Sequence, residues 1–131
     1  MTTLTITIKE NLRLKDVPPQ LMQRLMETLE FVNPKWLENE RMGRWNRGTP
    51  QSLKFYDKVG RSGLWIPRGY IRHLINACRR QGIEFRLDDQ RRRLEPVKFT
   101  FKGRLKPFQQ VAVVKMLAKD FGTLSSATGS G

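Results

Sequence analysis

The chain has 131 residues, the length of one small domain, and carries 25 Lys and Arg against 12 Asp and Glu, a net charge of +13. Hydrophobic residues make up 38%, enough for a core, which excludes a wholly disordered polymer; no run of about 18 apolar residues exists to span a membrane. So large a positive excess points to a polyanionic partner, nucleic acid before all others, rather than to a merely soluble basic domain.

The first element is a strand. Leu4, Ile6 and Ile8 alternate with Thr3, Thr5 and Thr7, the period of a sheet with one buried face. Asp16 precedes Val17-Pro18-Pro19, and prolines suit a first helical turn, so a helix opens here. Its apolar set is Met22, Leu25, Met26 and Leu29, and Asn33-Pro34 should stop it.

Residues 35–51 read as an irregular or partly helical connection. A β-hairpin is expected next, from residues 52–57, a turn at 58–63 and the strand Leu64-Trp65-Ile66. Pro67 introduces a helix over 68–81 with a core stripe of Ile71, Leu74, Ile75 and Cys78, capped by Gly82. Ile83, Phe85 and Leu87 then alternate with charged residues as a further strand, and Val97, Phe99 and Phe101 form another after the charged turn 88–96. Phe55, Phe85, Phe99 and Phe101 are expected in the core, and Trp65 in a packed position.

The order up to residue 88 is therefore β-α-β-β-α-β. The expected fold is α+β, a two-layer unit with helices on one side of a small sheet. Residues 1–95 make this domain and residues 96–131 begin a second unit. That unit has a helix over 106–119 opened by Pro107, a short strand at 121–124, and a small-residue loop, SSATGSG.

Cys78 is the single cysteine, so no internal disulfide exists, and its place on an apolar stripe marks a buried thiol. With His73 as the single histidine, no zinc cluster or other metal site is expected. The N-terminus lacks the apolar stretch of a secretory signal, and a cytoplasmic location is the simplest reading.

Basic residues concentrate between Arg41 and Arg72, where Asp57 is the single acid. Basic groups neutralise phosphates and aromatic rings stack on bases. The candidate DNA contacts are Arg41, Arg44, Trp45 and Arg47 in a glycine-punctuated loop, Arg61 in the hairpin turn, and Arg68, Arg72 and Arg79 along one helical stripe. The plain alternative for each is a solvated face, with Trp45 plugging the edge of the core. Arg91, Arg92 and Arg93 also could track phosphate, but Asp88, Asp89 and Glu95 partly cancel their field. No helix-turn-helix, zinc-finger or basic-zipper pattern is present, so binding should follow charge and DNA structure rather than sequence.

The end of the chain carries a resemblance. Leu105-Lys106-Pro107-Phe108-Gln109 followed by Ala127-Thr128-Gly129-Ser130-Gly131 resembles the start of the motor domain of superfamily two helicases. The likeness is greatest to the XPB-like and UvsW-like DNA helicases and to restriction-enzyme translocases. In that family an L-[RK]-P-[YF]-Q segment opens a helix, and a phosphate loop of the type T-G-S-G-K-T follows. The resemblance implies that residues 96–131 are the first helix and strand of a RecA-like motor lobe. It also implies ATP-binding roles for Arg104, Lys106, Phe108 and Gln109, and for Thr128, Gly129, Ser130 and Gly131 in the loop. ATP and Mg²⁺ would serve the intact protein. The loop's Lys, its Mg²⁺-binding Thr and every later motif are absent here, so this chain alone is expected to hydrolyse no ATP and to carry no cofactor. On that reading it is the N-terminal, DNA-binding accessory region of an ATP-dependent DNA helicase or translocase. DNA is favoured over RNA, and the remainder of the motor is a further partner. The alternatives are a protein-interaction or regulatory module that docks on the motor lobes, and the translocase subunit of a restriction system.

Overall fold

The computed structural model describes residues 3–131. They form two compact units, one ending at Arg92 and the other Arg93–Gly131.

The first unit is α+β and centres on a mixed five-stranded sheet. Its strands are β1 (Leu4–Ile8), β2 (Leu12–Lys15), β5 (Asp57–Val59), β6 (Gly63–Ile66) and β7 (Phe85–Asp89), in the order β5-β6-β2-β1-β7. β1 pairs antiparallel with β2 and parallel with β7, placing the first strand inside the sheet. Leu4, Ile6, Ile8, Leu12, Leu14, Leu64 and Ile66 are all buried, whereas the alternate residues Thr5, Thr7, Arg13 and Trp65 are only partly covered. One face therefore carries the core and the other is open.

Two helices supply the rest of that core. α1 (Pro19–Thr28) starts on Pro19 and buries Leu21, Met22 and Leu25. α3 (Ile71–Arg80) follows a short 3-10 turn, Arg68–Tyr70, and buries Ile71, Leu74 and Cys78. Gly82, with φ of +62°, ends it, and Ile83 N donates to Cys78 O at 2.9 Å. Because only one face of the sheet is buried, both helices lie on that face.

The sequence reading differs from this architecture in several elements. β2 was not expected; Leu12 and Leu14 alternate with Arg13 and Lys15 after a turn in which Lys9 N donates to Asn11 O at 2.9 Å. α1 ends at Thr28, not at residue 32, because Glu30–Val32 forms β3, which pairs with β4 (Ser52–Lys54) in a separate two-stranded sheet. Asn33-Pro34 starts a helix rather than stopping one. The Asn33 side chain accepts from Lys35 N at 3.0 Å and Pro34 takes the first turn of α2 (Pro34–Arg41). With residues 52–54 taken by β3, the hairpin partner of β6 is β5, around the turn at Gly60. A Cβ at Gly63 would stand 2.4 Å from Val59 O, so this position requires glycine.

Three of the four phenylalanines expected in the core are exposed. Phe55 stacks edge-on against Phe31 at 5.8 Å on the surface, beside the small sheet rather than beneath the large one. Phe99 is 90% exposed and Phe101 is also open, since residues 97–101 pair with no strand among the described residues. Alternation buries a face only when a sheet exists to carry it.

The second unit contains α4 (Pro107–Leu117) and no strand; residues 121–124, expected as one, are not paired. No residue of Arg93–Gly131 is buried. Among the described residues, no helix is long and apolar enough to cross a membrane.

Candidate nucleic-acid interface

The eight candidate DNA contacts do not form one patch. Arg61 precedes β6 and Arg68 follows it, so the strand separates them by its length. Arg72 and Arg79 lie two turns apart on α3, about 10 Å along the axis, and both are exposed. Arg68 is tied to the β1–β2 turn, where Nη1 donates to Lys9 O at 3.3 Å. Arg41, Arg44, Trp45 and Arg47 follow one another over residues 41–47, from the last residue of α2 into the loop after it.

That last group is built with care at the backbone. Met42 N closes the helix on Glu38 O at 3.1 Å, and Gly43, at φ +62°, turns the chain away. Arg44 N then returns to Asn39 O at 2.8 Å. Asn39, only 6% exposed, donates from Nδ2 to Asn46 Oδ1 at 3.0 Å. Asn46 in turn donates to Glu40 Oε1 at 2.8 Å and to Trp36 O at 3.4 Å, and its carbonyl accepts from Thr49 N at 3.0 Å. The far end of the loop is pinned by Asn33, whose Nδ2 donates to Pro50 O at 2.8 Å.

Residues 44 and 46 are therefore held, and Trp45 between them projects outward, 80% exposed. The Arg47 guanidinium lies over the indole, 5.5 Å from its centroid. Arg44 is drawn towards Glu38 at 3.7 Å, an exposed pair of small consequence. Arg41 and Arg47 have no carboxylate within 4.0 Å among the described residues. Trp45 does not plug the core edge; it is held out of it, with the Arg47 guanidinium over its ring.

The three asparagines that position this loop were not singled out in the sequence, where they read as ordinary loop polarity. Arg13 was missed with its strand. It lies on the open sheet face, 4.7 Å above the Trp65 ring, and donates Nε to Asn11 at 3.3 Å while pairing with Glu10. The Glu10 carboxyl is held below its ordinary value, first by a backbone hydrogen bond and then by Arg13.

In the second unit, the two motifs at the chain's end meet. Gln109 Oε1 accepts from Lys106 N at 2.9 Å, capping α4, and its Nε2 donates to Ser130 O at 3.0 Å. Ser130 N donates to Ala127 O at 3.2 Å, closing a turn through Thr128 and Gly129, the latter at φ +83°. The groove between α4 and this loop encloses about 510 Å³, lined by Phe108, Gln109, Ala112, Met116 and Ser130 among others. Arg104, Lys106 and Phe108 are exposed near the start of the helix, with the Lys106 ammonium 6.0 Å from the Phe108 ring centroid.

Comparison with protein-family models, with curated proteins and with solved structures yields no match.

Proposed function

We propose that this chain is the N-terminal DNA-binding accessory region of an ATP-dependent DNA helicase or translocase, together with the opening of its motor lobe. The observation that carries the reading is the bond from Gln109 to Ser130 at 3.0 Å. It links two motifs that the resemblance quotes separately, and it lies beside a groove of nucleotide size. The residues present fit part of a nucleotide site. Gly129 and Gly131 have positive φ, the backbone in which successive amide groups turn towards an anion. Gln109 would read the base edge, exchanging its bond to Ser130, and Arg104, Lys106 and Phe108 would border it. The 131 residues supply no lysine to the loop and no acidic pair for Mg²⁺, so the chain by itself binds ATP poorly and hydrolyses none.

The DNA-binding half of the proposal is supported by the exposed cations of Arg41, Arg44 and Arg47 in the segment that carries Trp45, with Arg61, Arg68, Arg72 and Arg79 as further contacts. The test is an anisotropy titration of the 131-residue chain with duplex and forked DNA over a range of salt. Affinity falls linearly with salt on logarithmic axes, and replacing Arg41, Arg44 and Arg47 together by alanine lowers the slope by up to about three. Absence of binding at low salt overturns the reading.

One observation favours a second reading, a module that docks on protein. Phe108, Val111, Val114 and Leu117 of α4 are all exposed, more apolar surface than a helix facing water ordinarily keeps.

A further inference from the structure

The chain has three tryptophans, and Trp45 differs from the other two. Trp36 and Trp65 are partly covered, the latter beneath the Arg13 guanidinium. Trp45 is 80% exposed in its loop. A flexible loop would let so large an apolar ring fold back onto the protein. Here the backbone on either side is fixed, Arg44 N to Asn39 O and the Asn46 side chain to Asn39, Glu40 and Trp36. The indole is thus presented rather than merely left outside, and its ordering is complete before any partner arrives.

The ring also stands in a cationic setting. Arg47 lies over it, Arg44 precedes it directly in the chain, and Arg41 is exposed at the end of the preceding helix. Cations alone serve the phosphates of duplex and single strand alike. A flat aromatic surface adds something only where a base exposes its face, and in intact duplex those faces are stacked on one another. Stacking tolerates any base, because each has a π-face, and it places an adjacent cation beside the backbone phosphate.

We infer that Trp45 is a stacking platform for an unpaired DNA base, so that the loop 42–50 prefers single-stranded or frayed DNA to intact duplex. This rests on the DNA-binding reading above and names the form of DNA that the site takes. Arg47 both holds the ring and contacts the adjoining phosphate. Asn39 and Asn46 are positioning residues that keep the ring out.

The experiment compares the full chain with Trp45→Ala and Trp45→Phe. The probes are fluorescein-labelled oligo-dT and a blunt duplex of equal length, at one low salt concentration. Trp45→Ala should weaken oligo-dT binding by about tenfold or more and duplex binding by less than about twofold, and Trp45→Phe should retain most of the affinity. The ring is exposed, so both variants should melt at the wild-type temperature. Equal losses on the two probes, or no loss on oligo-dT, overturn the stacking role while the DNA-binding reading stands. If the unaltered chain binds neither probe, both fall together.

Discussion

Gln109 and Ser130, twenty-one positions apart, are joined by a single hydrogen bond of 3.0 Å from the Gln109 amide to the Ser130 carbonyl. The other end of the same amide caps α4 through Lys106 N. Gln109→Glu separates the two tasks, because a carboxylate keeps the acceptor and loses the donor. Its effect should appear as faster amide exchange at Ser130, whose turn the Gln109 amide braces, with Lys106 N still protected. Gln109→Ala should release both, weakening the start of the helix by about 0.5–2 kcal/mol. Equal exchange in the two variants would refute this division.

Asn46→Ala removes the acceptor that Asn39 Nδ2 uses inside the protein and frees the loop around Trp45. Leaving that buried amide unsatisfied should destabilise the first unit by about 1–3 kcal/mol in urea unfolding. Asn46→Asp keeps an acceptor for Asn39 but sets a second carboxylate where Asn46 Nδ2 meets Glu40 Oε1 at 2.8 Å, so its loss should shrink as the pH is lowered, whereas that of Asn46→Ala should not. The difference between the two pH dependences is the check.

Leu74 is fully buried on α3. Leu74→Ala should reduce the stability of the first unit by about 2–5 kcal/mol, measured by denaturant titration. The neighbouring Asn76→Ala, on the exposed side of the same helix, should change it by less than about 0.5 kcal/mol.

Burial pushes the Cys78 thiol above its ordinary value of 9.0. The fold favours the neutral form, so the unfolded chain ionises first. Its contribution to stability is complete below pH 9.0 and is lost as pH rises through the higher folded value. Wild type should therefore lose stability more steeply than Cys78→Ala between pH 9 and the folded value. Iodoacetamide, which needs the thiolate, should label the native chain slowly and the unfolded chain fast.

The apolar stripes of α1 and α3 were legible, because their spacing matches the helical period and the buried residues are nearly those named. The sheet was harder. β2 has the plainest of patterns, LRLK, yet it follows β1 so closely, without glycine at the turn, that the two are easily taken as strand and loop. The fate of residues 30–32 and 52–54 depended on one another across more than twenty positions, and pairing at that distance leaves no local signal. Phe99 and Phe101 show the converse, since their alternation is a local signal without a partner strand to use it.

The basic residues between 41 and 72 could be counted in the sequence, but not distributed. Their division into a loop group, a hairpin turn and a helix stripe follows the elements between them, with β6 standing between Arg61 and Arg68. The presentation of Trp45 was hidden for another reason. It depends on Asn33, Asn39 and Asn46, whose side chains bond residues up to seventeen positions away, and an asparagine's role is set by what it faces.

β1 lies between β2 and β7, and its parallel partner is some eighty residues away, from Leu4 opposite Phe85 to Ile8 opposite Asp89. During synthesis β1 can pair with β2 at once, but the backbone edge that β7 will cover stays open until some eighty further residues have left the ribosome. The β1–β7 ladder is therefore the late pairing of the sheet, and that edge is the one a chaperone would meet in the interval.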